Sequence, residues 1–132
     1  MIQVHVRMLS SPEQHAQIER SLRSRVGPTR ALRGCLDCRL YREVGDEDAL
    51  VLVELWDDQA AWQRHALSDS FREILVLAEL SPEPPEIAFR RIDASWDLPY
   101  LAELQRKACR QAAEPAESVC PGRGLRGNAM IR

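Results

Sequence analysis

The chain has 132 residues, of which 45% are hydrophobic and 29% charged, and its net charge is −2. This length fits one globular domain, and neither half of the chain has the basic density of a nucleic-acid-binding surface. Because no stretch approaches the roughly 18 apolar residues of a membrane span and the N-terminus lacks a secretory signal pattern, we expect a cytoplasmic protein with free thiols and no nucleic-acid or membrane partner.

A strand and a helix are predicted first. Residues 2–9 alternate apolar and polar side chains, which is typical of a strand. Residues 11–14, Ser-Pro-Glu-Gln, have the pattern of a capped helix start, and Gly27-Pro28 is expected to end the helix. The apolar side chains of this helix recur at helical spacing: Ile18, Leu22 and Val26.

An antiparallel hairpin is predicted next. Residues 35–44 alternate again, residues 45–48 are turn formers, and residues 49–56 are the most apolar run of the chain. Asp57 or Asp58 can cap the helix that follows, and a second capping box from Ser70 to Glu73 indicates that this helix breaks and restarts. The apolar face of this region includes one histidine, His65. The residues of the face are Ala61, Trp62, His65, Ala66, Phe71, Ile74, Leu75 and Ala78.

The remaining segments complete the domain organisation. Residues 81–85 contain two adjacent prolines and are expected to form a loop, and residues 86–92 are predicted to form the last strand. We assign residues 1–95 to one domain, residues 96–113 to a C-terminal helix and residues 114–132 to a flexible tail.

The element order β-α-β-β-α-β predicts an α+β, ferredoxin-like fold, in which helices cover one face of an antiparallel sheet. Val51, Val53 and Leu55 lie on one face of the third strand. Leu50 and Leu52 lie on the other, so both faces are apolar and both need a cover. A second copy of the chain is the simplest cover for the face without helices, and we predict a homodimer.

Cys35 and Cys38 have the spacing of redox and zinc motifs. In a regular strand, residues three apart point to opposite faces and their Cα atoms lie about 10 Å apart, too far for a disulfide. One metal ion cannot be reached from both faces. Unless a bulge distorts residues 35–38, we therefore expect one thiol on each face and neither a redox pair nor a zinc site.

Three stretches carry a resemblance to a known family: GCLDCRLYREV at 34–44, ALVLVELWDDQAAWQRHALSDSF at 49–71 and PPEIAF at 84–89. They resemble the antibiotic biosynthesis monooxygenase (ABM) domain family. The shared elements are a Gly-Cys that opens the second strand, an acid-x-Trp that closes the third, a His nine residues later and a Ser-x-x-Phe. The resemblance covers residues 1 to about 93.

Membership would imply a dimeric α+β barrel in which two sheets pack face to face. It would also imply a quinol-monooxygenase-like activity without metal, flavin or haem. In that chemistry a small electron-rich aromatic, a quinol or a polyketide-like compound, reacts with O2 once it is deprotonated. The protein should then supply an apolar pocket with a few polar groups and exclude water.

The candidate catalytic residues are His65 and Glu54. His65 lies on the apolar helix face and could be a general base, or a structural histidine bonded to a backbone carbonyl or to Glu54. Glu54 stands in the most apolar strand, so it needs a partner or a raised pKa; it could be a base, a substrate anchor or a structural partner of an arginine or of His65.

The candidate substrate-binding residues are mostly aromatic. Trp56 could line the pocket, or could be a core or interface tryptophan. The other candidates are Tyr41, His5, Trp62 and Phe71.

Two alternatives to the monooxygenase hypothesis stay open. Family members that oxidise polyketides share an Asn four residues before the strand-end Trp, where this chain has Leu52, so that mechanism does not transfer intact. Haem-degrading relatives use a helix His and a strand Asn that is not evident here. The first alternative is therefore a barrel that binds a small hydrophobic ligand without turnover, and the second is haem binding or degradation. The sequence does not name the substrate.

Overall fold

The computed structural model describes residues 1–113, apart from the side chain of Glu47. The chain divides into two units, the first Met1–Asp93 and the second beginning at Ala94. The first contains β1 (Ile2–Leu9), α1 (His15–Arg30), β2 (Cys35–Glu43), β3 (Asp46–Trp56), α2 (Gln59–Ala66), α3 (Asp69–Glu79) and β4 (Glu86–Arg91). The second contains α4 (Leu98–Ala113), and the predicted tail 114–132 lies outside the described residues.

The four strands form one antiparallel sheet in the order β2-β3-β1-β4. This order, with two strand–helix–strand halves, is the predicted ferredoxin-like α+β fold. In the pairing of β1 with β3, Val4 lies opposite Glu54 and Val6 opposite Leu52. Because side chains alternate across a strand, these residues all point to the same face of the sheet.

The hydrophobic core lies between that face and the helices. Its members come from β1, β2, β3 and the three helices of the first unit, and among the most buried are Val4, Val6, Met8, Ile18, Leu22, Cys38, Leu50, Leu52, Trp56 and Ile74. On the opposite face, Val51, Val53 and Leu55 are half-buried. The prediction that both faces of β3 are apolar is therefore confirmed.

The bounds of α1 differ from the prediction at both ends. The helix begins at His15, after a turn in which the Ser11 carbonyl accepts hydrogen bonds from the N–H groups of Gln14 and His15. It also continues through Gly27-Pro28 to Arg30, so the expected stop there was wrong. Proline removes one helical hydrogen bond, and a single turn follows it, which limits the cost.

Two short turns were placed inaccurately from sequence. The hairpin turn consists only of Val44 and Gly45, and Gly45 has a φ of +94°, which glycine adopts without strain. The helix break is confirmed, but the residue that caps α3 is Ser68, whose Oγ accepts from the Phe71 N–H at 3.2 Å. Asp58 caps α2 as predicted, accepting from the Ala61 N–H at 2.8 Å.

A β-bulge changes the placement of the CxxC cysteines. Cys35 lies opposite Trp56 and Cys38 lies opposite Glu54. The cysteines are three positions apart in β2, whereas their partners are two positions apart in β3. The extra residue puts Cys35 and Cys38 on the same, helix-covered face, so the expectation of one thiol on each face was wrong. Both are free thiols, whereas Cys109 is disulfide-bonded, contrary to the expectation of free thiols throughout.

The two thiols of the bulge are poor nucleophiles despite their proximity. Burial raises the pKa of Cys35, and burial together with the charge of Glu54 raises the pKa of Cys38 to about 12. Thiol exchange and metal binding both need the thiolate, so this environment disfavours both. None of the helices in the described part of the chain combines the length and apolarity that crossing a bilayer demands.

Candidate functional site

A buried carboxylate, an indole and an imidazole meet between β3 and α2. Glu54 is fully buried, and its Oε1 accepts a hydrogen bond from Trp56 Nε1 at 3.2 Å. Its Oε2 lies 3.2 Å from His65 Nε2, and the His65 side chain is only 1% exposed. Trp56 reaches Glu54 because residues two apart in a strand share a face. The α2 face that packs on this strand supplies His65.

The hydrogen bonds constrain the protonation state of the imidazole. An ionised carboxylate only accepts, so beside an ionised Glu54 the His65 Nε2 carries a proton and donates it. In neutral His65 the other ring nitrogen, Nδ1, then presents a lone pair. Nδ1 is buried and has no hydrogen-bond partner within residues 1–113. The arrangement therefore leaves one imidazole nitrogen buried without a hydrogen-bond partner among the described residues.

Aromatic rings fix the orientation of His65. The Trp56 and His65 rings stack with centroids 4.8 Å apart and planes 28° apart. The Phe71 ring packs edge-on against His65 and Trp62, with ring centroids 5.5 Å and 5.0 Å apart, respectively. Trp62 also lies 5.0 Å from Phe89 of β4. The predicted residues Trp62 and Phe71 thus belong to the packing that holds the imidazole.

A cavity of about 330 Å³ adjoins this cluster. Its walls come from the end of β3, from α2 and from the segment after α1: Leu32, Arg33, Trp56, Ala61, Arg64, His65 and Ser68. The walls are mostly apolar, with two guanidinium groups among them, and the volume is at the lower end of the range for small-molecule sites. The cavity therefore suits a ligand of one or two rings.

Gly34 determines how closely the segment after α1 approaches α2. Its φ is +90°, and a Cβ built on it would lie 2.4 Å from the Ala61 Cβ. The Gly34 carbonyl also accepts a hydrogen bond from the Asp57 N–H at 2.8 Å. Only glycine adopts this positive φ without strain and also leaves room for the Ala61 side chain. Gly34 therefore allows the segment with Leu32 and Arg33 to approach the cavity.

Sequence reasoning missed five residues of the cavity wall as site residues: Leu32, Arg33, Ala61, Arg64 and Ser68. Two signals were present in the sequence. Arg33 and Leu32 immediately precede the Gly-Cys that opens β2, and Arg64 is adjacent to His65. Neither signal was sufficient alone, because an arginine in a loop or on an exposed helix turn is usually solvated.

His5 and Tyr41 do not join the cluster. His5 lies opposite Val53 and Ala88, on the sheet face that the helices of the first unit leave uncovered. Tyr41 lies opposite Val51, is 48% exposed and borders a different cavity beside α1. Alternation along the strands separates both of them from Glu54. Leu52 is buried on the helix-covered face, next in line to Glu54.

No group of three or more His, Cys, Asp or Glu side chains within residues 1–113 could hold a metal ion. Among the residues that line the cavity, His65 is the one of these four types, and its Nε2 already contacts Glu54. A cavity with two arginines and one basic nitrogen is better suited to an acidic organic molecule than to a cation.

Comparisons with known proteins identify the family and similar folds. The family model of the antibiotic biosynthesis monooxygenases matches residues 1–76. A conserved protein from Methanosarcina mazei is 28% identical with a TM-score of 0.62, covering 68% of this chain and 90% of that one. A Pseudomonas aeruginosa protein is 27% identical with a TM-score of 0.61, covering 70% and 94%.

A third solved structure is similar in fold. It is a candidate antibiotic biosynthesis monooxygenase from Deinococcus radiodurans, 20% identical with a TM-score of 0.67, covering 74% of this chain and 98% of that one. None of the curated proteins matches this chain.

Proposed function

The chain belongs to the antibiotic biosynthesis monooxygenase family, and from this premise we propose that it oxidises a small electron-rich aromatic with O2 and without a cofactor. The substrate would be a quinol or a polyketide-like phenol. The observation that carries the proposal is His65, which contacts Glu54 through Nε2, keeps Nδ1 without a partner among the described residues, and lines a cavity of suitable size.

The first step is a proton transfer from the substrate to His65. The Nδ1 lone pair accepts the proton of a phenolic hydroxyl, and the imidazolium that results is stabilised by Glu54 through Nε2. A carboxylate that orients and stabilises a histidine in this way is a common arrangement for a general base. Trp56 and Phe71 keep the ring in position.

The second step uses the substrate anion as the reductant. A deprotonated quinol transfers an electron to O2, and the two radicals combine in a carbon–oxygen bond to give a peroxide anion. The His65 imidazolium returns its proton to this peroxide, and loss of water then gives the hydroxyquinone. Overall, quinol and O2 give hydroxyquinone and water, and the quinol supplies all the electrons. The Arg33 and Arg64 guanidinium groups favour the anion, and the apolar walls limit water.

The function also has a proposed assembly. Val51, Val53 and Leu55 form an apolar stripe on the uncovered sheet face, where His5 also lies. We propose that a second copy of the chain covers this stripe, as two sheets packed face to face. His5 and Tyr41 would then belong to the dimer interface.

A ligand-binding barrel without turnover is the alternative that one observation favours. Both oxygens of Glu54 already have partners inside the core, so the cluster is also complete as a structural network. In that case the cavity would bind an aromatic and His65 would transfer no proton. Haem binding is weaker, because His65 Nε2, one of the two nitrogens that could bind iron, contacts Glu54.

Oxygen uptake by the EDTA-treated protein with a panel of naphthohydroquinones tests the proposal. We expect uptake above the autoxidation rate, and a loss of about 100-fold in His65→Gln. His15→Gln is the matched control, because His15 lies in α1 and bonds to Ser10. Oxygen uptake equal to the autoxidation rate, with a naphthoquinone still bound, would favour the binding barrel. Full activity in His65→Gln would exclude His65 as the base.

A further inference from the structure

A second cavity lies between α1 and the edge strand β2. It is an open groove of about 540 Å³. We propose that this groove binds a small organic anion, in which a carboxylate or phosphate is attached to an apolar body. The site is separate from the Glu54–His65 cluster: none of its wall residues lines the cavity beside His65.

The anion preference follows from the arginines of the groove. Four of them line it: Arg23, Arg30, Arg39 and Arg42. Asp37 forms ion pairs with Arg30 at 3.7 Å and with Arg39 at 2.7 Å. Glu19 forms ion pairs with Arg23 and Arg42. Each carboxylate is thus shared by two guanidinium groups, which leaves positive charge in excess at Arg30 and Arg39. The geometry of guanidinium suits carboxylates and phosphates.

The preference for an apolar body follows from the other walls. Val26 and Leu40, which are partly buried, contribute aliphatic surface. Tyr41 of β2 also borders the groove and is 48% exposed. An inorganic anion would contact the arginines alone. An amphiphilic anion would bury apolar surface as well, which adds to its affinity.

Gly27 keeps the groove open along α1. It is inside the helix, where glycine is less favourable than alanine by about 0.5–1 kcal/mol. A Cβ built on it would meet no atom within 4 Å. A side chain at this position would therefore enter the groove without a clash against the rest of the fold, which offers a way to block the site.

Calorimetric titration with 2-naphthoate and with its neutral counterpart 2-naphthalenemethanol tests the proposal. We expect the anion to bind roughly tenfold more tightly, because hydrogen bonds to charged groups are the stronger ones. Gly27→Phe should abolish binding and Gly27→Ala should retain it. Arg39→Gln should weaken binding by roughly tenfold. Arg72→Gln, which removes an exposed arginine of α3 paired with Asp69, should leave binding unchanged.

Three results would overturn the proposal. Equal affinity for the neutral compound would exclude an anion site, and unchanged binding to folded Gly27→Phe would place the ligand elsewhere. Loss of binding in Arg64→Gln but not in Arg39→Gln would assign the naphthoate to the cavity beside His65. If Gly27→Phe does not fold, the pair Arg39→Gln and Arg72→Gln decides: equal affinities in both would contradict the groove.

Discussion

Glu54 is the residue on which the candidate site depends. The sequence indicated that a carboxylate in so apolar a strand needs a partner, and named His65 among the possibilities. The structure gives each oxygen its own donor, Trp56 Nε1 and His65 Nε2. The tryptophan bond could have been anticipated, since Trp56 is two residues away on the same strand face. Whether the side chains reach each other was not evident from spacing alone.

Replacement of Glu54 should separate its hydrogen bonds from its charge. Glu54→Leu leaves both donors without an acceptor, and we expect a loss of about 2–4 kcal/mol in the free energy of unfolding. Glu54→Gln keeps one acceptor and should lose about 1 kcal/mol. Urea denaturation measures both. Glu73→Gln, at an exposed ion pair with Arg25, is the control and should change stability by less than about 0.5 kcal/mol. A fully stable Glu54→Leu would contradict the role of the network.

The buried thiol of Cys38 makes stability depend on pH in the alkaline range. Its pKa is about 12 in the folded chain, against an ordinary value of 9.0, because of burial and the charge of Glu54. The folded state thus holds the proton more tightly than the unfolded state. Its contribution is complete below pH 9 and is lost as pH rises from 9 to 12. Unfolding free energies of the wild type should therefore fall more steeply over this range than those of Cys38→Ala; parallel curves would refute this.

At the scale of elements, the sequence patterns located each helix and strand of residues 1–113, whereas the ends of these elements were less predictable. Alternation predicted β1 and β2 within one residue, and the break between α2 and α3 was anticipated. The stop at Gly27-Pro28 was wrong because packing of α1 outweighs one missing hydrogen bond. The bulge in β2 was named only as an exception. Local sequence does not determine whether a pairing slips by one residue.

Gly34 should be the most sensitive connection of the site. Gly34→Ala combines an unfavourable positive φ with a contact of 2.4 Å to the Ala61 Cβ. Gly45→Ala is the matched control, since Gly45 has φ +94° and nothing within 4 Å of an added Cβ. We expect the control to lose about 1 kcal/mol and Gly34→Ala clearly more. Thermal unfolding measures both, and equal losses would show that the contact with α2 relaxes without cost.

At the scale of the whole molecule, the main feature is the apolar sheet face that the helices of the first unit do not cover. The helices of the first unit cover only one side of the sheet, and Val51, Val53 and Leu55 are half-buried on the other. An antiparallel sheet is commonly solvated on one face when that face is polar, and this one is not. Covering this apolar face would be favourable, and the first unit itself provides no cover for it.

A charge in the centre of this face should separate the two copies. The chain mass is 15.0 kDa, and light scattering on the wild type should give twice this value. Val53→Arg places a guanidinium where two sheets would meet, and burying an unpaired charge is costly, so we expect a monomer. Arg72→Gln should stay dimeric. A wild-type monomer at micromolar concentration, or an unchanged Val53→Arg dimer, would contradict the face-to-face assembly.

Sequence patterns established the element order, the α+β class and the two-faced character of β3, and they offered a buried pair of Glu54 and His65 as one of several alternatives. These follow from periodicity, because a period of two or 3.6 residues determines which side of an element a side chain occupies. Tertiary packing was needed to show that the two cysteines share a face, that Arg33 and Arg64 meet at a cavity and that His5 and Tyr41 lie away from it. Those facts depend on register, on a bulge and on the close contact of Gly34 with α2, which are set by packing between segments far apart in the chain.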